Sequence, residues 1–209
     1  MNSFDIVPLF SIPVATTTIS GIDNTLKDYL YSLPFERVRN GCCSYSVAKK
    51  VLDDPHCQML KEQIESALDD YIETVQGIDT QNFKFLIKTS WVLKLEPGDY
   101  ADEHYHSKSI FSGVLYLDVP DDSSRINFHR PPSHIDPMTK WFEWNIKNWN
   151  IYNCERFFVQ PKNNMLVFFP SYLGHSTEQN NSDTTRYCLA FDVFVKGSMQ
   201  LGLPGEIIF

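Results

Sequence analysis

From Phe83 to Phe194 the chain is a succession of short segments rich in Val, Ile, Leu, Phe and Tyr, with turn residues between them, and nothing else in the sequence constrains the fold as much. FKFLIKTSWVLKLEPGD, SGVLYLDVPDD, RINFHRP, RFFVQPKNN, MLVFFPS and TRYCLAFDVFV each have the composition and length of a strand. They follow one another without the strand–helix alternation of a doubly wound sheet. A barrel or a two-sheet jelly roll is the architecture this pattern predicts.

The helical signals lie upstream. Ile22 to Leu33 is amphipathic and stops at Pro34, because a proline disfavours the helical region for the residue before it. A stronger helix is predicted from Pro55 to Gln76, with Asp54 as N-cap, Pro55 in the first turn and Gly77 at the stop. Leu60, Ile64, Leu68, Tyr71, Ile72 and Val75 form its apolar stripe. The acidic residues Glu62, Glu65, Asp69 and Glu73 give it a solvated outer face or part of a dimer contact. With 209 residues, 43% of them hydrophobic, the chain suits one domain over 1–209. Within it, 1–80 is helical support and 83–196 the β core. The Trp-rich stretch 130–153 is an insertion, either a flap over a site or a packed cover for a sheet edge.

A net charge of −8 and a pI near 5.2, with no run of Lys and Arg, argue against a nucleic-acid partner. No stretch approaches the roughly 18 apolar residues of a membrane span, and the first 20 residues do not read as a signal peptide. Five cysteines without a CxxC spacing fit a reducing cytoplasm and buried thiols.

The chemistry-bearing residues are few. In DEHYHS, His104 and His106 stand two apart, so an extended backbone sends both side chains to one face, about 6–7 Å apart, where one metal can take both. A third imidazole, His175, follows the apolar MLVFFPSYLG. Eleven residues later Arg186 opens the apolar segment RYCLAFDVF, where a lone guanidinium needs an anionic partner. At a barrel mouth its planar fork suits a carboxylate ligand. His56, His129 and His134 are expected to be structural, Trp91 to pack in the core, and Ser112 and Gly113 to serve backbone geometry. Trp141, Trp144 and Trp149 are candidates for a substrate groove.

Taken in order, Trp91, Gly98, HYH at 104–106, SGVLYL at 112–117, FFPSYLGH at 168–175 and RYCLAFD at 186–192 resemble the iron(II)/2-oxoglutarate oxygenases, in particular a subfamily of bacteria and marine phages with a His-x-His…His…Arg pattern. The opening VPLFSIPV looks like that family's first strand. The resemblance implies a double-stranded β-helix (a jelly roll) with helices outside the sheets. It implies iron(II) held by His104, His106 and His175, and 2-oxoglutarate chelating the iron with its far carboxylate on Arg186. Hydroxylation of a small-molecule or peptidyl substrate would follow, in the cytoplasm, of the host cell if the protein is phage-encoded. The wider superfamily has a carboxylate where His106 stands, the facial triad of two histidines and one acid. Asp102, also two residues from His104, is the alternative third ligand. Cys188 occupies a position where many relatives have a serine against the far carboxylate, and Tyr116 is the candidate to supply that bond. Two other functions use the same residues: a three-histidine cupin-like dioxygenase without 2-oxoglutarate, and a non-catalytic jelly-roll binding or virion-associated protein. Substrate and oligomeric state, including a homo-oligomer, are left open.

Overall fold

The computed structural model describes residues 4–38, 42–81, 83–132, 145–200 and 206–208. Its strands are β1 (Ala15–Thr18), β2 (Phe35–Arg37), β3 (Ser44–Ser46), β4 (Phe83–Leu95), β5 (Ala101–His104), β6 (Phe111–Asp118), β7 (Ile126–His129), β8 (Arg156–Val159), β9 (Met165–Pro170), β10 (His175–Thr177), β11 (Arg186–Gln200) and β12 (Glu206–Ile208). The larger sheet runs β1-β9-β6-β11-β4-β3-β2, with β12 on β11, and the smaller runs β5-β10-β7-β8. Every ladder between these strands is antiparallel.

Strand periodicity divides the larger sheet into two faces. Leu189, Phe191 and Val193 of β11 join Leu115, Leu117, Val92 and Phe168 in a core that packs under the helices. On the opposite face Tyr116, Cys188, Val167 and Phe169 pack towards Ile126 and Phe128 of the smaller sheet. Two facing antiparallel sheets with the helices outside make the fold a double-stranded β-helix, as the resemblance implied. Gly113 shows how tightly the helix-side core is built: a Cβ there would lie 2.2 Å from Cζ of Phe191, its register partner on β11.

The helices are α1 (Asn24–Ser32) and α2 (Gln58–Asp70). Leu60, Ile64 and Leu68 of α2 are fully buried, each worth about 1.5–3 kcal/mol of transfer free energy. Asp54 does accept a backbone N–H, from His56, with Pro55 in the first turn, but the turn it caps is a 3-10 turn over Pro55–Cys57 that precedes α2. After Asp70 the helix widens into a π turn, Tyr71–Val75. The wider turn rotates Val75 off the apolar stripe, leaving it 45% exposed while Tyr71 and Ile72 stay buried.

VPLFSIPV is not the first strand. Pro8 and Pro13 lack the N–H a ladder needs, Val7, Leu9 and Phe10 are exposed, and pairing starts only at Ala15. Of the 130–153 stretch, His134, Trp141 and Trp144 lie outside the described residues. All five cysteines are free, four of them buried. Among the described residues no helix is long and apolar enough to cross a membrane.

Candidate metal and cosubstrate site

The smaller sheet brings two of the predicted imidazoles together by register alone. His104 ends β5, His175 begins β10, and the two are antiparallel partners with ring centroids 4.3 Å apart. His106 lies beyond the end of β5, not on it. Its backbone N–H donates to the carbonyl of Ser171 at 2.9 Å, which turns its ring back to 5.4 Å from His104 and 5.2 Å from His175. The same-face result expected of a continuous strand is thus reached through a turn anchored on the segment after β9. The ligand atoms of His104, His106 and His175 all lie within 4.8 Å of one another.

All three rings are fixed in the same way. Nδ1 of His104 bonds the carbonyl of Asp102 at 2.7 Å, Nδ1 of His175 the carbonyl of Leu173 at 3.0 Å, and Nδ1 of His106 the Asp192 carboxylate. Carbonyl and carboxylate oxygens only accept, so each Nδ1 of a neutral ring carries the hydrogen and each Nε2 keeps its lone pair. This is the tautomer a metal-binding histidine needs. Burial, followed by the charge of His104, pushes His175 down to about 3. Burial also lowers His104, although part of that residue stays open at the cavity mouth. Both are therefore neutral near pH 7, and a proton does not compete for Nε2. Asp102 stands outside the converging group and contributes its main-chain oxygen to His104 instead.

Arg186 is buried to 1% exposure at the start of β11. Its Nη1 donates to the carbonyl and the hydroxyl of Ser124 at 2.5 and 2.6 Å, Nε has no partner, and no carboxylate pairs with it among the described residues. A buried guanidinium held by neutral groups and left with an unused donor fits an anionic ligand. Its Cζ lies 5.6 Å from the ring centroid of Tyr116, which is also buried. Burial raises the Tyr116 phenol above its ordinary value and pushes the Cys188 thiol up to about 11, so both stay protonated near neutrality.

One cavity of about 530 Å³ contains all of these groups: the three histidines, Arg186, Tyr116 and Cys188 line it. Its inner wall is three neighbouring strands, with Arg186, Cys188 and Ala190 from β11, Val114 and Tyr116 from β6, and Thr89, Trp91 and Leu93 from β4. Trp91 therefore belongs to the cavity wall and not to the core, with its ring 5.8 Å from that of His106. Trp149 is 66% exposed and does not line this cavity. His129 bonds Ser176 and Glu103, and His56 bonds Asp54, as befits structural histidines.

Sequence reasoning missed Asp192 and its donors. Ser112 on β6 and Thr89 on β4 are both register partners of Asp192, and their hydroxyls donate to its carboxylate at 3.0 and 3.2 Å. Ser112 also bonds Ser171, so it serves through its side chain and not only through backbone geometry. The signal was present in the sequence: Asp192 has the same strand parity as Arg186 and so faces the same side of the sheet.

A family profile described as "Putative 2OG-Fe(II) oxygenase" matches residues 89–192, a span that includes every residue named above as a site candidate. Among solved structures, the non-heme alpha ketoglutarate dependent carbocyclase SnoK from nogalamycin biosynthesis is 14% identical, with 89% of this chain and 82% of that chain covered at a TM-score of 0.60. The epimerase SnoN in complex with Fe3+, alpha ketoglutarate and nogalamycin RO is 16% identical, with 89% and 81% covered and a TM-score of 0.59. A Pseudomonas putida prolyl-4-hydroxylase is 15% identical, with 88% and 94% covered and a TM-score of 0.55. A search of curated proteins finds no match. The neighbours share the fold, the profile runs from Thr89 to Asp192 and takes in the three histidines, Arg186 and the strands behind them, and on that ground the chain belongs to the 2OG-Fe(II) oxygenases, oxidoreductases that use iron(II) and 2-oxoglutarate.

Proposed function

We propose that this protein is a hydroxylase in which Nε2 of His104, His106 and His175 holds iron(II) and Arg186 binds the far carboxylate of 2-oxoglutarate. The observation that carries this is the shared orientation of the three rings, each pinned through Nδ1 with Nε2 free, in one cavity with a buried and incompletely bonded arginine. His104, His106 and His175 would hold the iron and leave it open to the cosubstrate. When bound, the iron and 2-oxoglutarate supply the oxidising power.

The chain's own residues supply position and exclusion. Arg186 would fix the cosubstrate by a charge-assisted contact, and the hydroxyl of Tyr116, which lines the same cavity, would be the further donor to that carboxylate. Cys188 and Ala190 keep the wall between the two ends of the site narrow in profile. Val114, Leu93 and Trp91 exclude water from it. The substrate is a small molecule or a peptidyl group.

Anaerobic titration with Fe(II) and 2-oxoglutarate tests this, read by the visible charge-transfer band of the chelate and by succinate formed once O₂ is admitted. His175→Ala is expected to abolish the band. A wild-type protein that binds Fe(II) yet never consumes 2-oxoglutarate would instead support a three-histidine dioxygenase whose Arg186 binds a substrate carboxylate.

A further inference from the structure

The ligand set has lost a carboxylate relative to the usual triad, and the fold places one directly behind the residue that replaced it. His104 and His175 are backed by main-chain carbonyls, whereas His106 is backed by the ionisable side chain of Asp192. We propose that Asp192 is a positioning residue that restores to the metal site, one hydrogen bond removed, the negative charge that His106 does not supply, and that fixes His106 with Nε2 towards the metal. This rests on the three-histidine reading above.

Three features of the structure support it. Asp192 is held by four side chains: His106 Nδ1 and the Ser112 and Ser109 hydroxyls on Oδ1, and the Thr89 hydroxyl on Oδ2. Neither Ser112 nor Thr89 carries charge, and among the described residues no lysine or arginine pairs with Asp192, so its charge is not cancelled locally. The carboxylate sits at the point where the β11–β4 register shifts, a bulge that re-aims side chains beside a site. A carboxylate behind a ligating imidazole makes the ring a stronger donor and fixes its orientation, and losing such a partner typically weakens metal binding 10–100-fold.

The test is a double-mutant cycle on Co(II) affinity, measured by calorimetry and by the visible d–d spectrum of the metal, without cosubstrate or turnover. Asp192→Asn in the wild-type background is expected to weaken Co(II) binding about 10–100-fold and to alter the spectrum. In a His106→Asp background, where position 106 supplies the carboxylate itself, Asp192 becomes a like charge beside it, and Asp192→Asn is expected to strengthen binding. A purely structural Asp192 would weaken binding equally in both backgrounds, and that result overturns the inference, as does an unchanged affinity and spectrum in the first. Nitrogen-15 NMR of the wild-type protein provides a measurement free of variants: His106 is expected as the Nδ1–H tautomer with a strongly hydrogen-bonded proton, and the Nε2–H tautomer refutes the proposal. A wild-type protein that takes up no Co(II) sinks the three-histidine reading itself, while the NMR result still decides the role of Asp192.

Discussion

Arg186→Met separates a structural arginine from a ligand-binding one, because the two roles predict opposite costs. Arg186 is a buried cation whose only hydrogen bonds among the described residues go to Ser124, with Nε unsatisfied. Removing it sacrifices two hydrogen bonds made by a charged group, about 1.5–3 kcal/mol each. It also removes a desolvated charge with no carboxylate partner, and replacing buried ions by apolar side chains of similar volume is neutral or gains about 1–4 kcal/mol. These terms oppose, about 3–6 kcal/mol lost against about 0–4 gained, so urea unfolding of the apo-protein should cost a net of about 2–3 kcal/mol. Cosubstrate binding carries no such cancellation. Deleting one member of a buried, hydrogen-bonded charge pair costs about 2–5 kcal/mol, which at 1.4 kcal/mol per decade is a loss of roughly 30- to 4,000-fold in 2-oxoglutarate affinity. The assay pairs denaturant unfolding with a titration of 2-oxoglutarate into the Fe(II)-loaded protein under anaerobic conditions. A variant that unfolds several kcal/mol more easily yet binds 2-oxoglutarate as tightly as the wild type would show Arg186 to be a structural residue, and the cosubstrate assignment would fall.

Gly113→Ala forces a methyl group into the ring of Phe191, which is fully buried and has nowhere to move. Overpacking of this kind costs about 1–3 kcal/mol, measurable as a lower urea midpoint at unchanged slope. Glu178 accepts two hydrogen bonds from Arg125, both 2.6 Å, tying the start of β7 to the segment after β10. That contact holds the Glu178 carboxyl below its ordinary value of 4.5, so its contribution is present above that value and disappears as pH falls through the lowered one. Because the pair is partly exposed, Glu178→Gln should cost only about 0.2–1 kcal/mol at pH 7. The difference from wild type should vanish in acid and shrink in salt, and a difference that persists at low pH would place the effect elsewhere.

Fold class was legible because β4, β6, β9 and β11 are long enough for apolar residues to repeat. β5 and β10 were not, since each has three or four residues facing a cavity and has no apolar pattern to show, yet these two strands carry His104 and His175. The ligands were found by residue type and spacing instead, and the turn that brings in His106 had no signal at all. VPLFSIPV misled in the opposite direction: it has strand-like apolar content, and its two prolines outweigh that content. Asp192 escaped notice because one acid within an apolar strand is ordinary until its neighbours on two flanking strands are known.

β11 shows how one strand encodes both the packing and the site. Tyr187, Leu189, Phe191 and Val193 are large and face the helices, whereas Cys188 and Ala190, between Arg186 and Asp192, are small and line the cavity. A sheet packed on both faces needs bulk at both parities, as the apolar runs of buried parallel sheets show. Here bulk is confined to one parity, and the other has a cation at one end, a carboxylate at the other and little volume between. A strand of that kind covers a core on one side and borders a hollow on the other, with opposite charges at the two ends of the hollow. Oxidation chemistry on an anionic cosubstrate would use this arrangement under the proposed assignment: Arg186 for the far carboxylate, Asp192 behind His106, and space between them that no side chain among the described residues fills.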